Sequence, residues 1–226
     1  MSSSALPLLT SGQVRQVDAL TEERFGIPTA WLMEAAGWQV ARNVSGSAAV
    51  VCGVGNNAGD GLAAARHLHR WGLLESVACV DARRLGGNAR RELEALLKLG
   101  VDVADELRLE DATVVVDAIF GTGLSRAPEG KFAEWIEAIN LSGKEVVSVD
   151  LPSGLDADSG LAIAPFVRAD VTITLGLPKA GLSEFGGRVL VVDIGTPFEA
   201  YAALGVQVPR DLFASGDTIT LLAPLK

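Results

Sequence analysis

Residues 48–61 read Ala48-Ala49-Val50-Val51-Cys52-Gly53-Val54-Gly55-Asn56-Asn57-Ala58-Gly59-Asp60-Gly61, and the change of character inside this stretch decides the fold. Its first five residues are uniformly apolar, with neither the alternation of a half-exposed strand nor the length of a helix, so they read as a strand buried on both faces. A glycine- and asparagine-rich turn follows, and residues 61–71 then read as an amphipathic helix. The same alternation continues outward. Residues 76–80, 113–116, 145–149, 169–175 and 188–192 read as further strands, with helices over 88–99 and 131–140 and a candidate edge strand at 218–222. Buried strands separated by helices specify a mostly parallel sheet covered on both faces, a Rossmann-like three-layer αβα sandwich of the α/β class. Two helices precede the first strand. One opens at Thr10, spaced from Gln13 as in a capping box, carries Val14, Val17 and Leu20, and stops at Gly26-Ile27-Pro28. The other starts near Thr29 and sets Leu32, Ala36, Val40 and Val44 on one stripe. No internal repeat divides the chain, and residues 1–226 are expected to form a single domain.

Composition narrows the partners. With 19 basic and 28 acidic residues the formal charge is −9, which opposes both a nucleic-acid surface and an anionic membrane. No apolar run reaches the ~18 residues needed for a spanning helix. Two cysteines build no disulfide framework, and the first residues lack the basic and apolar regions of a signal peptide, so a cytoplasmic location is expected.

In open α/β sheets ligands bind beyond the carboxyl ends of the strands. Here those ends carry the least ordinary residues. Gly53 to Ala58 fits the dinucleotide fingerprint G-x-G-x-x-A, and Asp81 after the next strand is a candidate ribose ligand. Two asparagines and Asp60 nonetheless crowd a turn that a pyrophosphate would want bare; capping of the following helix is the alternative for Asp60. Asp117 directly follows Val114-Val115-Val116, where a carboxylate is costly unless it is paired, hydrogen-bonded or beside a cation; the alternative is a cap on the Gly121-Thr122-Gly123 turn. The loop from Gly121 to Arg126 offers amides, hydroxyls and a cation to a phosphate. Asp150 suits a general acid–base or a ribose contact, with Ser153 behind it as a reactive or a turn hydroxyl. Lys179 is a candidate for holding phosphate or a reacting oxygen, or else a solvated lysine. His67 and His69, two apart on a helix, do not pair as zinc ligands, and Cys52 and Cys79 read as buried thiols. The four tryptophans fall on predicted helices and read as packing residues, with Trp31 also able to face a second subunit.

Taken in order, Leu32-Met33-Glu34-Ala35-Ala36-Gly37, Gly55 to Gly61, Asp117-Ala118-Ile119-Phe120-Gly121-Thr122-Gly123-Leu124, Asp150-Leu151-Pro152-Ser153-Gly154-Leu155-Asp156 and Lys179-Ala180-Gly181-Leu182 resemble the NAD(P)H-hydrate epimerase family, the YjeF N-terminal domain. The resemblance runs from about residue 10 to Pro197, with Ala58 and Leu151 where the family usually has Gly and often Ile. It implies an enzyme that interconverts the R and S forms of hydrated NADH and NADPH (NADHX and NADPHX), commonly as a homodimer, without an organic cofactor. Carried over by position, Asn56, Asn57, Ala58, Gly59, Asp60, Gly121, Thr122, Gly123, Leu124, Ser125, Arg126, Ala127 and Asp150 would contact the hydrate. Asn57, Asp117 and Ser153 would hold one potassium ion (K+) per subunit. Asp150 is the expected acid–base residue, with Lys179 or Asn56 orienting it. The ATP- or ADP-dependent dehydratase that is often fused to this domain is expected to be a separate chain. Two other readings stand beside this one. A non-catalytic binding module of the same fold is disfavoured by the intact polar loops, and an NAD-dependent dehydrogenase rests on the glycine fingerprint alone.

Overall fold

Every residue of β1 (Ala48–Cys52) is buried because the strand has neighbours on both edges and helices over both faces. It pairs in parallel with β2 (Leu74–Cys79) on one side and β3 (Val114–Ala118) on the other. β4 (Glu145–Val149), β5 (Val171–Leu175) and β6 (Arg188–Val192) extend the parallel sheet, and β7 (Thr218–Leu222) pairs antiparallel with β6. The sheet has seven strands in the order β2-β1-β3-β4-β5-β6-β7. The structure is a computed structural model that describes residues 6–183, 185 and 187–222.

Alternate strand residues point to opposite faces and build the two cores. Val50, Cys52, Val116 and Ala118 meet α2 (Thr29–Arg42), α3 (Asn56–Arg70) and α4 (Gly87–Lys98). Val51 and Val115 meet Trp135, Ile136 and Ile139 of α5 (Lys131–Leu141). The expected three-layer arrangement with two leading helices is therefore present. α1 (Ser11–Glu23) carries the Thr10–Gln13 capping box and packs with the short α6 (Phe198–Ala203), a helix the sequence reading did not anticipate.

The largest correction concerns α3, which starts at Asn56 instead of Gly61, with Gly55 at its N-cap and no side-chain cap. Asp60 is thus a residue within the helix, and its capping role falls. The glycines read as loop signals are packing devices. A methyl group at Gly61 would lie 2.4 Å from the Ala118 Cβ, and one at Gly59 would lie 2.6 Å from the Met33 Cε. Bare Cα atoms let α3 lie directly on the sheet and on α2, and that burial outweighs the low helix propensity of glycine.

Candidate functional site

From β1 the chain crosses to β2 on one side and then to β3 on the other, so the strand order reverses between β1 and β3. Loops leaving the carboxyl ends there diverge and open a crevice. A cleft of about 660 Å³ occupies this position, a size suited to a small ligand. Asn56, Asn57 and Asp60 reach it from α3, Phe120 to Gly123 from the loop after β3, Asp150 from the end of β4 and Lys179 from the segment after β5; α1 and α6 add Asp18 and Tyr201.

Asp150 is the one non-glycine in the left-handed region among the described residues, with φ at 68°. Such a backbone costs about 1–3 kcal/mol and persists where surrounding contacts enforce it. Here the Asp150 N–H donates to the Ile173 carbonyl at 2.7 Å, while its side chain accepts from the Lys179 ammonium. Lys179 is 2% exposed and also donates to the Leu175 carbonyl at 2.8 Å and the Thr174 hydroxyl at 3.3 Å. Two charges costly to bury singly thus satisfy each other.

Asp117, fully buried within β3, has donors for both oxygens. Oδ1 accepts from the Ser153 hydroxyl at 2.6 Å and the Ile119 N–H at 3.2 Å; Oδ2 accepts from the Ser148 hydroxyl at 2.8 Å and the Ser153 N–H at 2.9 Å. No basic side chain pairs with it among the described residues. Burial raises its carboxyl above the usual range, and the bonds from Ser153, Ser148 and Ile119 oppose that rise. The alternative reading of Asp117, a cap on the 121–123 turn, falls, because its donors are Ser148, Ser153 and Ile119. Ser153 instead bridges loops, because its hydroxyl also accepts from the Phe120 N–H at 2.8 Å.

Asn57 is buried, and neither its amide nitrogen nor its amide oxygen has a hydrogen-bond partner among the described residues. A Cβ placed on Gly121 would lie 3.2 Å from both the Asn57 Oδ1 and the Asp150 Oδ2. Asn57, Gly121 and Asp150 therefore converge on one spot. Burial, Asp150 and Asp18 push the Asp60 carboxyl well above its ordinary range, against the pull of Lys179. Burial also lifts Asp18, to about 6.

Other expected residues lie elsewhere. Ala58 is on the core-facing side of α3, and Gly59 lies under Met33. Leu124, Ser125, Arg126 and Ala127 do not line the cleft, and Ser125 and Arg126 are exposed. Asp81 caps a 3-10 turn at Ala82–Arg84 and pairs with Arg83 at 3.1 Å, away from the cleft. A Cβ on Gly53 would lie 2.1 Å from the Ile119 carbonyl oxygen, so this glycine serves loop packing. The dinucleotide fingerprint thereby loses its ribose acid and its first glycine. His67 contacts Glu34 and His69 is exposed, so the two do not pair. Cys52 and Cys79 are buried free thiols. Asp18, Thr196 and Tyr201 line the cleft without having been singled out in the sequence: all three come from ordinary-looking amphipathic or loop segments, and no motif marks them.

The family model described as YjeF-related protein N-terminus matches residues 29–181. The chain is 44% identical over 206 residues to the bifunctional NAD(P)H-hydrate repair enzyme Nnr of Thermofilum pendens, covering 82% of this chain and 39% of that one. Similar bifunctional proteins of Moorella thermoacetica and Hyperthermus butylicus are covered to 41% and 40%, so the chain spans about two fifths of these relatives. It is 34% identical to the NAD(P)H-hydrate epimerase of Dehalogenimonas lykanthroporepellens, over 97% of this chain and 94% of that protein. The crystal structure of the yeast protein ynu0 superposes with a TM-score of 0.79 at 24% identity, covering 96% of this chain and all of that one, which shows the shared fold.

Proposed function

Because the chain belongs to the family of the YjeF-related protein N-terminus, we propose that it is an epimerase interconverting the R and S forms of NADHX and NADPHX, a repair step for hydrated nicotinamide nucleotides. The observation that carries this reading is the convergence of Asn57, Gly121, Asp150 and Lys179 in the cleft at the strand-order reversal. Epimerisation requires the ring C6–oxygen bond to break and reform on the opposite face. The ring nitrogen pushes its electron pair into the ring as the hydroxyl leaves as water. Asp150 exchanges the proton, and Lys179 holds it in place. Of the residues expected to contact the hydrate, those that line the cleft bind it: Asn56, Asn57, Asp60, Gly121, Thr122, Gly123 and Asp150.

The oxygens of Asn57, Asp117 and Ser153 would hold the family's potassium. They fit it: among the described residues the Asn57 amide is buried without a partner and no basic side chain pairs with Asp117, and all three offer hard oxygen donors. The ion would supply a fixed positive charge beside the substrate and tie the loops together. The reading includes a single domain over residues 1–226, a cytoplasmic location, a dehydratase as functional partner, and a homodimer whose interface takes Trp31, 65% exposed on α2. Among the described residues no helix is long and apolar enough to cross a membrane.

Chromatography tests the activity. A purified single epimer of NADHX should equilibrate with the other on adding the protein, without ATP or ADP. Equilibration no faster than the spontaneous rate overturns the reading.

A further inference from the structure

On the proposed epimerase reading, the departing hydroxyl must receive a proton and the water that adds to the opposite face must lose one, roles that two carboxyls can divide between them. Asp150 supplies one of these, held by a lysine whose other hydrogens go to Leu175 and Thr174. α1 brings a second carboxyl to the same cleft. Asp18 lines it and accepts no hydrogen bond among the described residues. The helix that carries it is fastened to the Lys179 segment. The Leu9 N–H donates to the Pro178 carbonyl at 2.9 Å, and the Ala180 N–H donates to the Leu9 carbonyl at 2.8 Å. The next turn is anchored too, because the Ser11 hydroxyl donates to Asp158 at 3.0 Å. Asp18 thus faces Lys179 from a fixed position.

We propose that Asp18 is the second acid–base residue of the epimerisation. Its carboxyl proton passes to the C6 hydroxyl, the C6–oxygen bond breaks with its electron pair on oxygen, and water leaves. The nitrogen lone pair forms the ring N=C6 bond. Water then adds to the other face, the N=C6 pair returns to nitrogen, and the added water loses a proton to the Asp150 carboxylate. The opposite epimer runs the same steps with the two carboxyls exchanged, and the protons re-equilibrate through solvent.

The charged and titratable groups facing Asp18 are Lys179, Asp150, Asp60 of α3 and the Tyr201 hydroxyl of α6, with Arg15 on its own helix lining the same cleft. Burial sets its carboxyl at about 6, with Lys179 lowering it and Asp150 raising it, a value suited to giving and taking protons near neutrality. Asp60, lifted well above the carboxylate range, is suited to donating a hydrogen bond.

The test is Asp18→Asn, assayed by equilibration of a pure epimer across pH. The wild-type rate should fall as pH rises through about 6, where Asp18 loses its proton. Asp18→Asn should lose about 10²–10⁴-fold in kcat and lack that limb, with KM little changed. Asp18→Glu should restore part of the rate and the limb. Melting curves report the fold separately. The folded-state value lies above the model-peptide 3.8, so stability from the protonated carboxyl is lost as pH rises through about 6. Asp18→Asn should therefore melt higher than wild type above that pH. Undiminished turnover in Asp18→Asn, or a slower enzyme that keeps the pH limb, overturns the assignment. A wild-type protein that does not epimerise overturns the functional reading instead.

Discussion

Asp150 joins two demands that conflict in most positions, a left-handed backbone and a buried charge. Aspartate and asparagine both tolerate that backbone, so Asp150→Asn should keep the fold, but it leaves the buried Lys179 ammonium without its counter-charge and should cost about 3–5 kcal/mol of stability. It should also lose about 10²–10⁴-fold in epimerisation, measured by chromatography on protein checked by circular dichroism. Asp117 makes a different prediction. Potassium chloride should raise the melting temperature of the wild type above that in an equal concentration of a tetraalkylammonium salt, and Asp117→Ala should abolish the difference while lowering stability in both. A potassium response unchanged in Asp117→Ala would remove this residue from the ion site. Asp117, Asp150 and Lys179 were legible in the sequence because polar residues at the ends of apolar strands are conspicuous. Not every partner that satisfies them was: Ser148 looks like any strand residue, and its bond to Asp117 depends on the β3–β4 register. Asp18 sits in an ordinary amphipathic helix, where nothing in the spacing tells a cleft-facing carboxylate from a solvated one.

The contact between α2 and α3 explains two of the sequence motifs as packing. Met33 fills the space left by Gly59, and a Cβ on Gly37 would lie 2.4 Å from the Ala63 Cβ and 2.7 Å from the Ala63 carbonyl carbon. Backbone cannot yield as a side-chain tip can, so Gly37→Ala should push the helices apart and cost about 1–3 kcal/mol, read from the denaturation midpoint. Because α3 begins with Asn56 and Asn57, the same change should also weaken substrate binding at a distance from the cleft. Strands and most helices were legible because their apolar periods are unambiguous. The start of α3 was not, since the glycines that read as a loop act only through neighbours distant in sequence, Ala118 from β3 and Met33 from α2.

At the scale of the whole molecule, the proposed function has a chain of formal charge −9 admit a substrate bearing an anionic pyrophosphate. Like charges slow their encounter, and salt screens them, so kcat/KM should rise with ionic strength when potassium is held constant and a tetraalkylammonium salt is varied. A falling or flat dependence would mean that local basic groups such as Arg15 outweigh the net charge. The bridge between Leu9 and Lys179 has a consequence of another kind, one of timing. The ribosome makes α1 before any of the strands β1 to β5, yet the backbone groups that hold it, on Pro178 and Ala180, are made only after them. The two segments meet only by closing a very long loop, and such contacts form late because chain entropy opposes them until the intervening strands have condensed. The nascent polypeptide therefore carries this helix undocked while five strands are made, and one wall of the cleft is set in place by an early-made segment settling onto a later-made one.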